Sequence, residues 1–437
     1  MIKRIYLLSM MLLNLNFCAC GKEKEESITI PDTIVEESST IIEEIPTEII
    51  DTPEKITEEI VEEVPAYPYW WDLHDYNEDQ PILAQDGEFK NLSIQPGNQP
   101  DELYITWFSK SSTKGKVEFK SDEFFSSITA NATTEPSISV PNYYRNSALI
   151  QGLESNTIYT YHVANGKHKS EIYTYETGDL YSTDFTFTIA GDPEIGLGDP
   201  EELPGQRNVW RLALNRMKAQ IPESSFIITT GDQVAKPDST EHYDYFLDNS
   251  VLYSIPLVPV VGNHDVGSGY FGDHFTLPNS SPLGTSQGRD GDYWFTRGNV
   301  LFMVINTLTV MEKDIHEQFV SEAIAANPDA KWRVIVSHYS PVTMVEKYMA
   351  TREEVRYSFA YMEENFDIDL FISGHDHIYT RSFFLDSDAD PLPDQELEYE
   401  FHNPEHAIYT IYNGATHALL REPDAEYPWS AISVQNG

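Results

Sequence analysis

The sequence predicts an all-β sandwich followed by an α/β domain, both carried behind a charged N-terminal segment. Three observations predict it. Between about residues 82 and 177, short alternating segments rich in Thr, Tyr, Val and Phe are cut by turns such as Gln95-Pro96-Gly97-Asn98 and Lys114-Gly115-Lys116. After Gly178, apolar β runs alternate with stretches of helical periodicity. Most of those later runs end in a polar cluster of Asp, Asn or His. At roughly 150 residues per domain, 437 residues are enough for two or three domains with real cores.

Composition narrows the chemistry. Lys+Arg number 28 and Asp+Glu 71, so the net charge is −43. Polyanion binders depend on clustered Lys and Arg, so no nucleic-acid partner is expected. The only cysteines are Cys18 and Cys20. The rest of the chain therefore holds no disulfide and no thiolate metal site, and any metal must use His, Asp, Asn or Glu.

From the N-terminus onward, Lys3 and Arg4 precede an apolar run from Ile5 through Leu13. This is the pattern of an export signal, too short for a permanent membrane span. Phe17-Cys18-Ala19-Cys20-Gly21 resembles the lipobox of bacterial lipoproteins, which implies that Cys20 is the lipidated first residue of the mature chain. Residues 1–20 are thus read as a lipoprotein signal peptide. The protein is expected outside the cytoplasm, lipid-anchored to the bacterial cell membrane or secreted, touching membrane only through that anchor. Residues 22–64 carry 15 acids against three lysines, with Pro31, Pro46 and Pro53. Like charges extend such a chain, so residues 21–68 are read as an acidic disordered linker.

Residues 69–180 are read as the sandwich. Leu103-Tyr104-Ile105-Thr106-Trp107-Phe108 sets a Trp inside an alternating strand, and Tyr159 is suited to a tyrosine corner. The segment resembles a fibronectin type III domain, a fold that by itself implies no activity. Residues 181–437 are read as the α/β domain. Its β runs are 185–190, 225–230, 256–261, 300–305, 332–337 and 368–373. Helices are expected over 206–220, 313–325 and 353–364.

The clusters are Gly191-Asp192-Pro193-Glu194, Gly231-Asp232-Gln233, Gly262-Asn263-His264-Asp265, Ser337-His338-Tyr339 and Gly374-His375-Asp376-His377. In open α/β sheets the carboxyl ends of the strands converge on the ligand crevice, so clusters far apart in sequence can meet. Asp, Asn and His together suit hard to borderline divalent metals, and two ions sharing a carboxylate form a hydrolytic centre. Each cluster alone is an ordinary turn; five in order after predicted strands are not.

These residues resemble the five motifs of calcineurin-like metallophosphoesterases. The preceding sandwich, with Tyr293-Trp294-Phe295 and the run from Leu301 to Thr307, resembles the purple acid phosphatase branch. The resemblance implies an α/β metallophosphoesterase fold, a β-sandwich flanked by helices and built from βαβ units. It implies two divalent ions, Fe, Mn or Zn, with Asp192 and His377 on the first, Asn263, His338 and His375 on the second, and Asp232 bridging. It implies hydrolysis of phosphomonoesters by metal-activated water, as in acid phosphatases, with a small phosphorylated substrate. His264 then acts as general acid or as a donor to the phosphoryl oxygen. Asp265 and Asp376 are read as supporting or solvent-facing residues. Two departures stand out. The position of the colour-giving tyrosine is Ala235, and the position of the histidine other metallophosphoesterases use is Glu194, which leaves Glu194 or water to complete the first site. Alternative readings are a phosphodiesterase or nucleotidase on the same centre, or a non-catalytic surface-binding protein. Residues 267–292 and 342–356 are expected to shape the pocket. Finally, Trp429 to Val434 reads as a strand followed by a hairpin-turn Asn-Gly with no second strand, so the natural chain is expected to continue.

Overall fold

The computed structural model describes residues 15–17 and 87–434, apart from 122–125, 287, 309–312, 387–389, 399, 403, 417–420, 422 and 424–425. Most of the expected leader, Cys20, the acidic linker and the closing Gln435 to Gly437 lie outside the described residues. Within them, no helix is long and apolar enough to cross a membrane.

Strand β1 (Leu15–Phe17) is followed by the sandwich strands β2 (Phe89–Pro96), β3 (Glu102–Ser109), β4 (Gly115–Ser121), β5 (Ser126–Asn131), β6 (Thr133–Pro136), β7 (Tyr144–Gln151), β8 (Ile158–Asn165), β9 (His168–Lys169) and β10 (Tyr173–Glu176). They form two antiparallel sheets, β2-β3-β7-β6 and β10-β8-β4-β5, with β9 beside β8. Alternation in β8 buries Tyr159, Tyr161 and Val163 and leaves Ile158 and Thr160 outside. Phe119 stacks on Tyr161 at 4.7 Å between ring centres. The Tyr159 hydroxyl accepts the Glu154 N–H at 2.9 Å, which is the expected tyrosine corner.

The α/β domain runs β11 (Phe185–Ala190), α1 (Leu203–Gln220), β12 (Ser224–Thr229), α2 (Thr240–Leu247), β13 (Leu257–Pro259), α3 (Tyr270–His274), β14 (Tyr293–Arg297), β15 (Val300–Ile305), α4 (Lys313–Ala326), β16 (Trp332–Ser337), α5 (Met349–Phe366), β17 (Leu370–Ser373), β18 (Tyr379–Ser382), β19 (Ile408–Ile411) and β20 (Ser430–Val434). One sheet has the order β1-β11-β12-β13, with β11, β12 and β13 parallel and β1 antiparallel on the β11 edge. The other has the order β14-β15-β16-β17-β19-β18-β20, parallel from β15 to β19 and antiparallel at its flanks.

Strand β15 shows why its run is apolar without a break. Val300, Phe302 and Val304 share a core with Phe187 and Phe226 of the facing sheet. Leu301, Met303 and Ile305 point the other way, into a core with Phe319 of α4 and Phe359 and Met362 of α5. Both faces are buried, so alternation disappears from the sequence. Helix α5 begins at Met349, four residues earlier than the periodicity suggests. Strand β20 does not lack a partner. It pairs antiparallel with β18, Arg381 opposite Ile432, so its mate precedes it in the chain.

The sandwich and the α/β domain are locked at α3, which the sequence reading did not anticipate. The Asp273 carboxylate accepts from Ser137 Oγ at 2.7 Å and from Ser139 N and Oγ at 3.0 and 2.6 Å. Arg145 Nε donates to the Asp273 carbonyl at 2.7 Å, and Lys90 pairs with Asp244 at 2.7 Å. His274 lies parallel to Tyr243, ring centres 4.1 Å apart, with Phe108 at 5.0 Å.

Burial pushes His274 down from the usual 6.5 to about 4. The unfolded chain takes up a proton below 6.5 that the folded one refuses until about 4, so stability is held above 6.5 and lost as pH falls through that window. The slope from this group is about 1.4 kcal/mol per pH unit. Urea midpoints measured from pH 7 to 4 should therefore fall less steeply in a His274→Phe variant than in the wild type. Parallel curves would show that the junction histidine does not titrate as its burial implies.

Candidate metal centre

The five polar clusters follow β11, β12, β13, β16 and β17, and the fold brings them together at the carboxyl ends of the two sheets. Close approach is what the glycines permit. A Cβ on Gly262 would lie 2.1 Å from Asp232 Oδ1, and one on Gly374 2.2 Å from Asp192 Oδ1. The site is also where non-glycine backbone is forced left-handed: φ is 40° at Glu194, 48° at Asp232, 70° at His375 and 57° at His377. Each such residue costs on the order of 1 kcal/mol or more, which surrounding structure must offset.

One group of donors centres on His338. Its Nε2 lies 3.3 Å from Asp232 Oδ2, 3.1 Å from Asn263 Oδ1 and 3.1 Å from His375 Nδ1. Neighbouring ligands on an octahedral ion with bonds of about 2.1 Å are about 3 Å apart. The other ring nitrogen of His338 donates to the Thr230 carbonyl at 2.8 Å, which fixes the tautomer that leaves Nε2 free to ligate.

A second group of donors gathers around His377. His377 Nε2 is 3.4 Å from Asp192 Oδ2 and 3.8 Å from Glu194 Oε2. Thr230 Oγ1 and the His375 N–H donate to the Asp192 carboxylate at 2.8 and 2.7 Å and aim it. Donor atoms of Glu194, Asp232 and His264 all fall within 4.8 Å of one another, and so do those of Asp232, His338 and His375. Asp232 belongs to both groups.

Charge explains the spacing. Burial opposes a proton on His338, yet Asp232 and Asp192 override it and hold the imidazolium up to about 9 when no cation is bound; a cation on Nε2 would take the place of that proton. Burial drives the Glu194 carboxyl up to about 7. Carboxylates crowded out of water in this way suit a divalent cation, and the oxygen and imidazole donors fit two.

The fold brings the expected side chains together. Asp192, Asp232, Asn263, His338, His375 and His377 line it, and His264 stands at its rim with its side chain 36% exposed. His264 N–H donates to Asp232 Oδ1 at 2.7 Å, and its Nδ1 donates to the Ala235 carbonyl at 3.0 Å, which turns Nε2 toward the cleft. The solvent-facing reading of Asp265 and Asp376 is corrected, since both are buried. Asp265 accepts from Gln233 N at 3.1 Å and Gly262 N at 2.9 Å, tying the second cluster to the third. Asp376 accepts from Thr343 Oγ1 at 2.6 Å and Met344 N at 3.1 Å, tying the fifth cluster to the 342–356 segment.

The sequence reading missed three participants. Thr230 looked like the end of a strand but holds both Asp192 and His338. Tyr348 packs on the His375 ring at 4.6 Å between centres. Arg421 Nη1 donates to the Tyr348 hydroxyl at 2.6 Å and to the His375 carbonyl at 3.4 Å. No local pattern marks the last two, because only tertiary folding brings residue 421 to residue 348.

Comparison with known proteins agrees with this geometry. Residues 173–379 match the calcineurin-like phosphoesterase family, and residues 89–177 match the purple acid phosphatase N-terminal domain. No curated protein matches the chain. Among solved structures it is similar to a purple acid phosphatase from yellow lupin (Lupinus luteus) seeds, with a TM-score of 0.63 at 14% identity over 79% of this chain and 68% of that one. It is also similar to PhoD, with a TM-score of 0.50 at 15% identity over 75% of this chain and 77% of that one. At such identities the likeness is one of fold. The chain carries a calcineurin-like phosphoesterase domain behind a purple acid phosphatase N-terminal domain, and it is a metal-dependent phosphoesterase.

Proposed function

We propose that this protein is an exported phosphomonoesterase, lipid-anchored through Cys20 or secreted, that hydrolyses small phosphate esters at a dinuclear centre. The observation that carries the reading is that Asp232 belongs to two donor groups, one with His338 and His375 and one with Glu194 and His264, beside an Asp192–His377 pair 3.4 Å apart. Asp192, Asp232 and His377 would hold one ion, and Asp232, Asn263, His338 and His375 the other. When bound, two divalent ions supply an activated water nucleophile and stabilise charge on the phosphoryl oxygens. The chain's own residues do the rest. Asp232 fixes the separation of the two positions. Thr230 sets the His338 tautomer and the Asp192 orientation. His264, steered by the Ala235 carbonyl and the Asp232 carboxylate, brings Nε2 to the rim, where it donates a proton to the leaving oxygen.

Monoester preference is supported by the lip. Arg421 and Lys347 both flank Tyr348, at 5.2 and 4.7 Å from its ring centre, beside His375. Two cations there suit the dianion of a terminal phosphate. On a panel of nitrophenyl mono- and diesters assayed with manganese, zinc and iron, kcat/KM should favour the monoester by at least about tenfold, or about 1.4 kcal/mol. Arg421→Ala should raise KM for the monoester several-fold. A preference for the diester would replace this reading with the phosphodiesterase one.

Asp232→Asn should cost more activity than any other single ligand change, with bound metal falling below two ions per chain. His264→Ala should keep both ions while turnover drops roughly 10²–10⁴-fold, as expected for a lost proton donor. Metal loss in the His264 variant, or unchanged turnover, would contradict its role.

At residue 235 the chain offers a carbonyl to His264 and no phenolate. Iron-loaded protein should therefore be colourless in the visible, and a persistent purple or pink band would overturn that expectation.

A further inference from the structure

We infer that Glu194 is a protein ligand of the first metal site, taking the place of both the tyrosine and the histidine that the family resemblance would offer, and that it makes this site selective for hard divalent cations. The inference rests on the dinuclear reading above and adds to it a ligand and a metal preference. Glu194 is 3% exposed, and its Oε2 has no hydrogen-bond partner among the described residues. A buried carboxylate oxygen left without a donor is costly, and a cation satisfies it. That oxygen faces His377 Nε2 at 3.8 Å, on the Asp192 side of Asp232.

The backbone removes any other place for this carboxylate to go. Glu194 N–H donates to the Asp232 carbonyl at 2.7 Å and Ile195 N–H to the Gln233 carbonyl at 3.2 Å, while Ile195 bridges Val234 in parallel. Beyond it, the His242 ring sits where a Cβ on Gly196 would be, 1.9 Å away, so the loop is closed from behind. A left-handed φ of 40° at a glutamate is held in place by these contacts, and such strain concentrates where function requires it. The other oxygen, Oε1, is 3.6 Å from His264 Nε2, so the same side chain links the first site to the proton donor.

The donor sets then differ. The first site has carboxylates from Asp192, Glu194 and Asp232 with one imidazole, His377. The second has the shared Asp232, the Asn263 amide oxygen and two imidazoles. Oxygen-rich sets suit manganese and magnesium, and imidazole-rich sets suit zinc.

The test uses the full chain loaded with Mn²⁺ or Zn²⁺, reading metal content and electron paramagnetic resonance as well as activity. Wild type should bind two Mn²⁺ with a spin-coupled spectrum. Glu194→Ala and the isosteric Glu194→Gln should retain one tight ion with an uncoupled spectrum, the other weakened by at least about tenfold. Glu194→His should recover the second ion with its preference moved from Mn²⁺ toward Zn²⁺. Glu194→Ala and Glu194→Gln binding two Mn²⁺ with unchanged affinity and coupling, even with turnover reduced, would make Glu194 only a partner of His264 and overturn the inference. A wild type that binds no coupled pair would instead overturn the dinuclear reading itself.

Discussion

The burial of the Asp232 carboxylate at the seam between the two sheets is the constraint that the surrounding structure answers to. A carboxylate removed from water must be met on all sides, and here it is met by the His264 amide on one oxygen and the His338 ring on the other. Burial alone would push Asp232 up, but His338 and His264 pull it below the ordinary carboxylate range, so it stays ionised. For those partners to come so close, Gly262 must lack a side chain, and Asp232 must sit in a left-handed conformation. Several of the motif residues are thus the geometric consequence of placing one charge.

That placement needs a stiff base. Phe302 stacks on Phe295 at 4.9 Å and meets Phe187 and Phe226 edge-on at 5.4 and 5.2 Å, so the facing sheets interdigitate through rings with little room to shift. Parallel register then brings β11, β12 and β13 from one sheet, and β16 and β17 from the other, to the same edge. The sandwich acts at a distance from the chemistry. By gripping Asp273 and His274 it anchors α3, which follows the Asn263–His264 turn by only a few residues, and so supports the rim on which His264 sits.

Much of this was legible in the chain, and the exceptions share a cause. Strands such as β15 announced themselves as unbroken apolar runs because both faces are buried, and the clusters because five of them in order after predicted strands exceed what turn chemistry explains. The tyrosine corner was legible because its hydrogen bond is local, five residues from Tyr159 to Glu154. What could not be read is what depends on distant partners. Thr230 looked like strand, Asp265 and Asp376 could be read as supporting residues but not what they support, and α3 is a single short turn whose stability comes from the sandwich rather than from its own periodicity. The partner of β20 was invisible because pairing direction is not written in either strand.

Charge raises the last question, which is how a chain of net −43 admits an anionic substrate. Most of that charge is on the surface or in the N-terminal segment, and at physiological ionic strength it is screened beyond about 8 Å. The local count is different. Asp265, pushed up by burial and then by Asp232, turns both oxygens to the backbone N–H groups of Gln233 and Gly262 rather than to the cleft. Two divalent ions against the carboxylates of Asp192, Glu194 and Asp232 would leave about 4 − 3 = +1, before Arg421 and Lys347 at the lip are counted. On that proposal, a phosphate approaching within a screening length would meet attraction. On the function proposed above, a locally positive centre in an acidic chain would draw in small phosphate esters without any contact dedicated to excluding longer polyanions.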